Sequence, residues 1–301
     1  MAERIIEGQH IRGRGKVADL SNLVKLPHTI FALPFALVGA TLASYQHAVH
    51  FRSIFLILTA FTSARFAAMG FNRIVDRAID AKNPRTKMRE IPAGKLSAAE
   101  AGIAVAVASG IFFLCAALLN PLCLMLAPFA LGWILFYSYT KRFTRWAHLV
   151  LGVALAIAPV GAYLAVAGEW SRPPGALLAL AGAVLSWVAG FDILYSLQDM
   201  EFDRAHGLHS VPAALGAQGA LTVSRVLHVL STAGFVALGF LVPQLGAIYF
   251  AATVVIAVML VYEQSLVRSD DFSRIDAAFF NVNGAISVIF FLMVLAERLF
   301  G

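Results

Sequence analysis

Charged residues and cysteine are both scarce in this sequence. Only 13% of the 301 residues are charged and 60% are hydrophobic, whereas soluble domains average about 25% charged and about 45–50% apolar residues. This composition excludes disordered and collagen-like chains. The two cysteines, Cys115 and Cys123, lie inside apolar runs, which argues against a disulfide-rich scaffold and predicts two small buried side chains. A single soluble core could not bury so much apolar surface, so the sequence predicts an integral membrane protein.

Long hydrophobic runs dominate the rest of the chain. A membrane-spanning helix needs about 20 mostly apolar residues, and no shift in composition divides the chain into parts. We therefore predict an all-α membrane protein with one domain over 1–301, of which 1–26 form a cytoplasmic or interfacial N-terminal segment. The sequence contains nine predicted spans, at roughly 27–47, 52–76, 98–119, 121–139, 147–168, 175–199, 214–240, 243–264 and 277–297.

Basic residues indicate how the chain crosses the membrane. The net charge is +6, and most of the 23 Lys and Arg residues fall on one side if the nine spans alternate in direction. Cytoplasmic connections carry the excess of Lys and Arg in membrane proteins. This sorting predicts a cytoplasmic N-terminus in a multi-pass protein of the inner (plasma) membrane. It also explains the positive charge without a nucleic-acid partner.

The charges that depart from this pattern fall into two segments. The first lies at the cytoplasmic end of the second predicted span. There Asn72, Asp76 and Asp80 are spaced four residues apart, and Arg65 lies two turns deeper. Residues three, four or seven apart share one face of a helix. We therefore expect these four side chains to point to the same side of the span.

The second segment lies at the cytoplasmic end of the sixth predicted span. It carries Asp192, Tyr195, Asp199 and Asp203. Its charged residues are spaced by seven and then four, which repeats the spacing within the first segment. The two segments therefore look like matching halves of one site.

Stacked carboxylates repel one another unless a cation lies between them. The two segments offer oxygen ligands, which favour Mg²⁺ over zinc or copper, and Mg²⁺ completes its shell with water and phosphate oxygens. We therefore predict a Mg²⁺–diphosphate site between the segments; the alternative is that Asp76, Asp80 and Asp203 only cap helix ends at the interface. Neighbouring basic residues could contact the phosphate oxygens directly, namely Arg85, Arg89, Lys141 and Arg142.

Four motifs follow one another along the chain. They are Asn72-Arg73-x-x-Asp76-x-x-x-Asp80, the loop from Arg85-Thr86 to Gly94, Tyr137-x-x-x-Lys141, and Asp192-x-x-Tyr195-x-x-x-Asp199-x-x-x-Asp203. In this order, on a nine-helix pattern, they resemble the UbiA superfamily of intramembrane prenyltransferases. Arg73 stands where the family's first box, Asn-Asp-x-x-Asp-x-x-x-Asp, has an acid, so the family's metal count does not carry over directly.

The resemblance implies transfer of a polyprenyl chain from its diphosphate to an aromatic acid, with Mg²⁺, in a chamber open to membrane lipid. Lys141 would help the diphosphate to leave, Arg65 would hold the acceptor's carboxylate, and Asp192 would accept a proton from its hydroxyl or ring. The implied metal–diphosphate ligands are Asn72, Asp76, Asp80, Asp199 and Asp203. The implied contacts to the diphosphate or its surroundings are Arg85, Arg89, Tyr137, Tyr139, Lys141, Arg142 and Tyr195.

Several alternatives stay open at this point. Arg65 and Asp192 could instead form a buried salt bridge that only joins two helices. The expected acceptor is 4-hydroxybenzoate or a related acid in respiratory quinone synthesis, and the alternative is a dihydroxynaphthoate of the futalosine route to menaquinone. Haem or chlorophyll prenylation is a further possibility within the superfamily. An ion-coupled membrane transporter is the alternative of another class, although transporter sites lie near the bilayer midplane on broken helices.

Overall fold

The computed structural model describes residues 15–24 and 33–301, and within these ranges the chain is helical, without named β-strands. There is also a 3₁₀ turn at Leu197–Asp199 and a π-helical turn at Ala277–Val282. The α-helices are α1 (Lys16–Leu23), α2 (Leu33–Ala43), α3 (Phe51–Asp80), α4 (Ala98–Leu119), α5 (Pro121–Thr140), α6 (Ala147–Ala167), α7 (Gly175–Ser196), α8 (Met200–Ala205), α9 (Val211–Leu241), α10 (Ala247–Leu266) and α11 (Asn283–Phe300).

The helices agree with the predicted spans. Within the described residues, eight helical segments are long and apolar enough to cross a membrane, and α2 is a shorter apolar helix of 11 residues. The nine predicted spans correspond to α2–α7 and α9–α11. Residues 27–32 of the first predicted span, and most of the N-terminal segment 1–26, lie outside the described residues. The all-α membrane fold is therefore confirmed.

Side-chain caps determine where several helices begin. At the start of α4, the Ser97 hydroxyl accepts from the Glu100 N–H, and the Glu100 carboxylate accepts from the Ser97 N–H. Asn120 caps α5 in a similar way, and Ser210 caps α9 by accepting from the N–H of Ala213. Such caps satisfy backbone donors that a helix leaves unpaired. The Ser210 cap matters most for the site, because α9 begins beside it.

Helix α7 is the centre of the bundle and packs between α6 and α9. Its Trp187 is fully buried, and the Trp187 ring centroid lies 4.8 Å from that of Phe35 in α2. A Cβ added to Gly152 of α6 would lie 2.5 Å from the carbonyl oxygen of Leu185 in α7. Small residues let transmembrane helices approach closely in this way. The two helices are thus in direct backbone contact, which fixes the end of α7 against the start of α6.

One end of the bundle collects the ends of α3, α5 and α7 and the beginnings of α6 and α9, and we call it the site end. Hydrogen bonds join α3 to α5, α6 to α7 and α6 to α9 at this level. The second acidic segment does not lie on one regular helix. Asp199 belongs to the 3₁₀ turn and Asp203 to α8, so the four-residue spacing does not produce one continuous helical face.

Candidate active site

Asp76, near the end of α3, is held by two cations from the end of α5. Its side chain is 2% exposed, and its two oxygens lie 2.8 Å from Lys141 Nζ and 2.9 Å from Arg142 Nη2. Asn72 donates to the same carboxylate at 3.1 Å. Arg142 also donates to the backbone carbonyls of Val75 and Ser138. These contacts join the first acidic segment to the Tyr137-x-x-x-Lys141 element.

Asp80, one turn further along α3, pairs with the loop that follows it. Arg89 Nη1 lies 2.7 Å from Asp80 Oδ1, and the Thr86 hydroxyl donates to the Asp80 carbonyl at 3.1 Å. The second carboxylate oxygen, Oδ2, is buried and has no hydrogen-bond partner. A buried acceptor without a partner is costly. A ligand that bound Asp80 Oδ2 would remove this cost.

Asp199 connects the second acidic segment to the same loop. Arg85 binds its carboxylate with two N–H groups, from Nε at 3.0 Å and from Nη2, and Asn83 Nδ2 donates at 3.0 Å. Arg85 also donates to the Tyr195 hydroxyl at 3.3 Å, and its guanidinium carbon lies 5.4 Å from the Tyr195 ring centroid. The loop after α3 therefore bridges the two acidic segments. Asp203 is half-buried in α8 and forms no ion pair with the described residues.

The two tyrosines of the Tyr137-x-x-x-Lys141 element point in different directions. Tyr137 is half-buried and lies within electrostatic range of both Asp76 and Asp192. Tyr139 is 44% exposed and packs edge-on against Phe71. Sequence reasoning left both open as contacts near the diphosphate. Of the two tyrosines, Tyr137 is therefore the one that interacts with both the first acidic segment and the deeper Asp192.

Arg65 and Asp192 do not pair with each other. Asp192 Oδ2 instead lies 2.7 Å from Nδ1 of His148, the second residue of α6. Arg65 Nε is buried and has no hydrogen-bond partner, and the Arg65 side chain forms no ion pair with the described residues. The hypothesis of a buried Arg65–Asp192 salt bridge is therefore wrong. A histidine 44 residues away occupies the position in which the arginine was expected.

The site contains carboxylates that could bind a cation and basic side chains that could bind an anion. Asp76, Asp80 and Asp199 each hold at least one cationic side chain, and all ligands offered by the two segments are oxygens. In the part of the chain that the structure describes, no three His, Cys, Asp or Glu side chains are close enough to hold a metal ion together. A metal bound here would need further oxygen ligands from another molecule, which is usual for Mg²⁺.

Comparison with known proteins identifies the family of this chain. A family model described as the UbiA prenyltransferase family matches residues 32–292. The chain belongs to this family. It is 31% identical over 273 residues to the 4-hydroxybenzoate octaprenyltransferase of Coxiella burnetii (strain RSA 331 / Henzerling II), which covers 90% of this chain and 93% of the relative. The family assignment makes this protein a membrane-embedded prenyltransferase.

Two solved structures of UbiA homologs resemble the fold. The apo structure of a homolog from Aeropyrum pernix K1 has a TM-score of 0.81 and 37% identity, and the match covers 90% of this chain and 98% of that chain. A homolog from Archaeoglobus fulgidus bound to GPP and Mg²⁺ has a TM-score of 0.74 and 17% identity, with 93% of this chain and 99% of that chain covered. The second likeness supports the fold alone.

Three features of the site in this UbiA-family protein were missed by sequence reasoning. Asn83 and His148 lie outside the acidic motifs, yet they bind Asp199 and Asp192. The π-helical turn carries Phe279, whose ring centroid lies 4.1 Å from that of Tyr195. A polar residue inside the apolar run of α6 was a weak signal for His148. Nothing distinguished Phe279 among the 23 phenylalanines.

Proposed function

We propose that this protein transfers a polyprenyl chain from its diphosphate to a hydroxylated aromatic acid, 4-hydroxybenzoate, in respiratory quinone synthesis. One observation carries the proposal. At the site end, three aspartates from the two acidic segments are each paired with cationic side chains, and the phosphate oxygens of a diphosphate could bind these cations in place of the carboxylates. Family membership supports the prenyl transfer. The name of the Coxiella burnetii relative supports the acceptor.

The diphosphate contacts follow from the cations that now hold the carboxylates. Arg85, Arg89, Lys141 and Arg142 surround Asp76, Asp80 and Asp199. Arginine and lysine bind phosphate oxygens through charge-assisted hydrogen bonds. A prenyl diphosphate would therefore lie between the two acidic segments, with its hydrocarbon chain leaving toward the membrane.

The donor set fits Mg²⁺. Asn72, Asp76, Asp80, Asp199 and Asp203 would share Mg²⁺ with the diphosphate oxygens, since no three of the carboxylates among the described residues converge by themselves. The buried Asp80 Oδ2 has no other partner. The Archaeoglobus fulgidus homolog is described as bound to GPP and Mg²⁺, which supports Mg²⁺ as the metal but says nothing of the residues that hold it. When bound, Mg²⁺ neutralises part of the charge on the diphosphate and so makes it a better leaving group.

The protein's own side chains would stabilise the bond-breaking step. As the allylic carbon separates from the diphosphate, negative charge grows on the phosphate oxygens, and Lys141 and Arg85 are positioned to donate to them. The Tyr195 ring lies beside Arg85 and packs against the Phe279 ring, and the two rings could stabilise a cation-like carbon and exclude water. An electron-rich ring carbon of the acceptor then attacks this carbon while the diphosphate leaves, and the ring loses the proton at the attacked position, which Asp192 would accept.

The acceptor would bind deeper than the diphosphate. Arg65 lies on α3 two turns below Asn72, and its guanidinium is free to pair with a carboxylate. Asp192 lies about 10 Å along the chain from Asp199 at 1.5 Å per helical residue. We assign Arg65 to the carboxylate of the acceptor and Asp192 to its hydroxyl. Both 4-hydroxybenzoate and dihydroxynaphthoate carry these groups, and the name of the Coxiella burnetii relative supports the first of them.

We also propose that the site end faces the cytoplasm. The loop after α3 and the residues after α5 bring most of their basic side chains to this end. Cytoplasmic connections carry such an excess. The protein would then be a multi-pass inner-membrane enzyme that takes up its acceptor from the cytoplasm.

The test is a transfer assay with purified protein, Mg²⁺, geranyl diphosphate and one aromatic acid at a time. We expect a prenylated product with 4-hydroxybenzoate and none without Mg²⁺. Product only with a dihydroxynaphthoate would assign the protein to menaquinone synthesis. Absence of product with any acid, together with proton-coupled flux into vesicles, would overturn the proposal in favour of a transporter.

A further inference from the structure

His148 lies in the first turn of α6 and contacts two other helices. Its imidazole is buried, with Nδ1 2.7 Å from Asp192 Oδ2 in α7. The backbone N–H of Val211, the first residue of α9, donates to His148 Nε2 at 3.3 Å. That N–H is one of the donors that the start of a helix leaves unpaired. The ring therefore joins three helices at the level of Asp192.

These two contacts favour one tautomer of the neutral ring. Because Nε2 accepts a hydrogen bond from a backbone N–H, it carries no proton, so the proton of the neutral imidazole lies on Nδ1. Nδ1–H then donates to the Asp192 carboxylate. A histidine held in this way acts as an oriented hydrogen-bond donor, and the backbone contact selects its tautomer.

Only one of the two carboxylate oxygens of Asp192 is used by this contact. The described residues form no hydrogen bond to Oδ1, and the Asp192 side chain is 17% exposed, compared with 5% for His148. His148 therefore covers the inner side of the carboxylate and leaves the other oxygen available. Tyr137 lies within electrostatic range of both Asp192 and Asp76.

We propose that His148 is a positioning residue for the aromatic acceptor. It holds Asp192 so that Oδ1 accepts a hydrogen bond from the acceptor's hydroxyl, while Arg65 binds the carboxylate at the other end of the molecule. This inference rests on the proposed function. His148 touches neither substrate, and its effect passes through Asp192.

The test compares His148→Phe, which keeps a ring but loses both hydrogen bonds, with His148→Gln, whose amide offers one donor and one acceptor. A hydrogen bond to a charged group corresponds to a factor of about 10 to 100 in binding. We expect His148→Phe to raise the KM for the aromatic acid by about 10- to 100-fold, with the KM for geranyl diphosphate unchanged. His148→Gln should recover most of this loss. His50→Phe, at the exposed start of α3 on the opposite end of the bundle, is the matched control.

A double-mutant cycle distinguishes positioning from a general packing defect. If His148 acts through Asp192, His148→Phe should add little to the loss caused by Asp192→Asn. Fully additive losses, or a His148→Phe enzyme with the wild-type KM for the acid, would overturn the inference. Calorimetric binding of the acid to wild type and His148→Phe gives the same comparison without transfer. A wild-type enzyme that prenylates no acid overturns the proposed function instead.

Discussion

Asp199→Asn should lower kcat while leaving the protein folded. Asp199 is the residue through which the loop after α3 and the second acidic segment meet, since it binds Arg85 twice and Asn83 once. Asparagine keeps the shape and one acceptor oxygen but removes the negative charge. Arg85 can still donate to that oxygen, so the loop should stay in place.

The expected magnitude follows from the charge and its exposure. Two unit charges about 4 Å apart interact by about 4 kcal/mol at an effective dielectric constant of about 20. If Asp199→Asn removes an interaction of this size from the transition state and not from the bound substrates, the rate falls by about 10³. The Asp199 side chain is 21% exposed, and solvent screening reduces the effect. We therefore expect kcat to fall by about 10² to 10³, with the KM for the aromatic acid unchanged.

The assay measures product formation from geranyl diphosphate and 4-hydroxybenzoate over a range of Mg²⁺ concentrations. Asp270→Asn, in the exposed connection between α10 and the π-helical turn, makes the same chemical change away from the site and should behave as wild type. A melting temperature close to that of wild type would show that Asp199→Asn is folded. A folded Asp199→Asn enzyme with kcat within threefold of wild type would refute the role of Asp199 at the diphosphate.

The other predictions concern single contacts. Lys141→Gln should weaken binding of geranyl diphosphate by about 10- to 100-fold, because one charge-assisted contact is lost. Calorimetry measures the affinity, with the exposed Lys87→Gln as the control. Equal affinities of Lys141→Gln and wild type would contradict this prediction. Arg65→Gln should raise the KM for the aromatic acid and leave the KM for the diphosphate unchanged, as measured by steady-state kinetics with each substrate varied in turn. A raised KM for the diphosphate with an unchanged KM for the acid would assign Arg65 to the diphosphate. Gly190→Ala should lower stability by about 1–3 kcal/mol, because the new Cβ would lie 2.3 Å from the His228 ring; an unchanged melting temperature in detergent would contradict this packing.

The spans could be predicted because their signal is local. A run of apolar residues of sufficient length is a property of the sequence alone, and the eight long segments and α2 occur where such runs occur. The acidic segments were predictable for the same reason, since charges at the ends of spans stand out against an apolar background. The resemblance implies Arg85 as a contact to the diphosphate, whereas its direct contact with Asp199 is seen only in the structure.

The partners of the deep residues could not be predicted from spacing. Arg65 and Asp192 have opposite charges and lie at similar depths, so a salt bridge between them was a reasonable hypothesis. The position of His148 depends on how α6 packs against α7, and this packing depends on backbone contacts such as that of Gly152 with Leu185. The 3₁₀ turn at Leu197–Asp199 and the π-helical turn at Ala277–Val282 likewise depend on tertiary packing.

The pairing of acids and bases at the site end explains how so many charges are tolerated in this fold. Three aspartates without partners would repel one another and oppose folding, whereas Lys141, Arg142, Arg85 and Arg89 neutralise them. On the proposed function, a diphosphate alone would compete with carboxylates for these cations, and Mg²⁺ alone would compete with cations for the carboxylates. When both arrive together, the phosphate oxygens take the cations and the metal takes the carboxylates, so no charge is left unpaired. The charge pairs that keep the site folded therefore favour joint binding of metal and prenyl diphosphate over binding of either one alone.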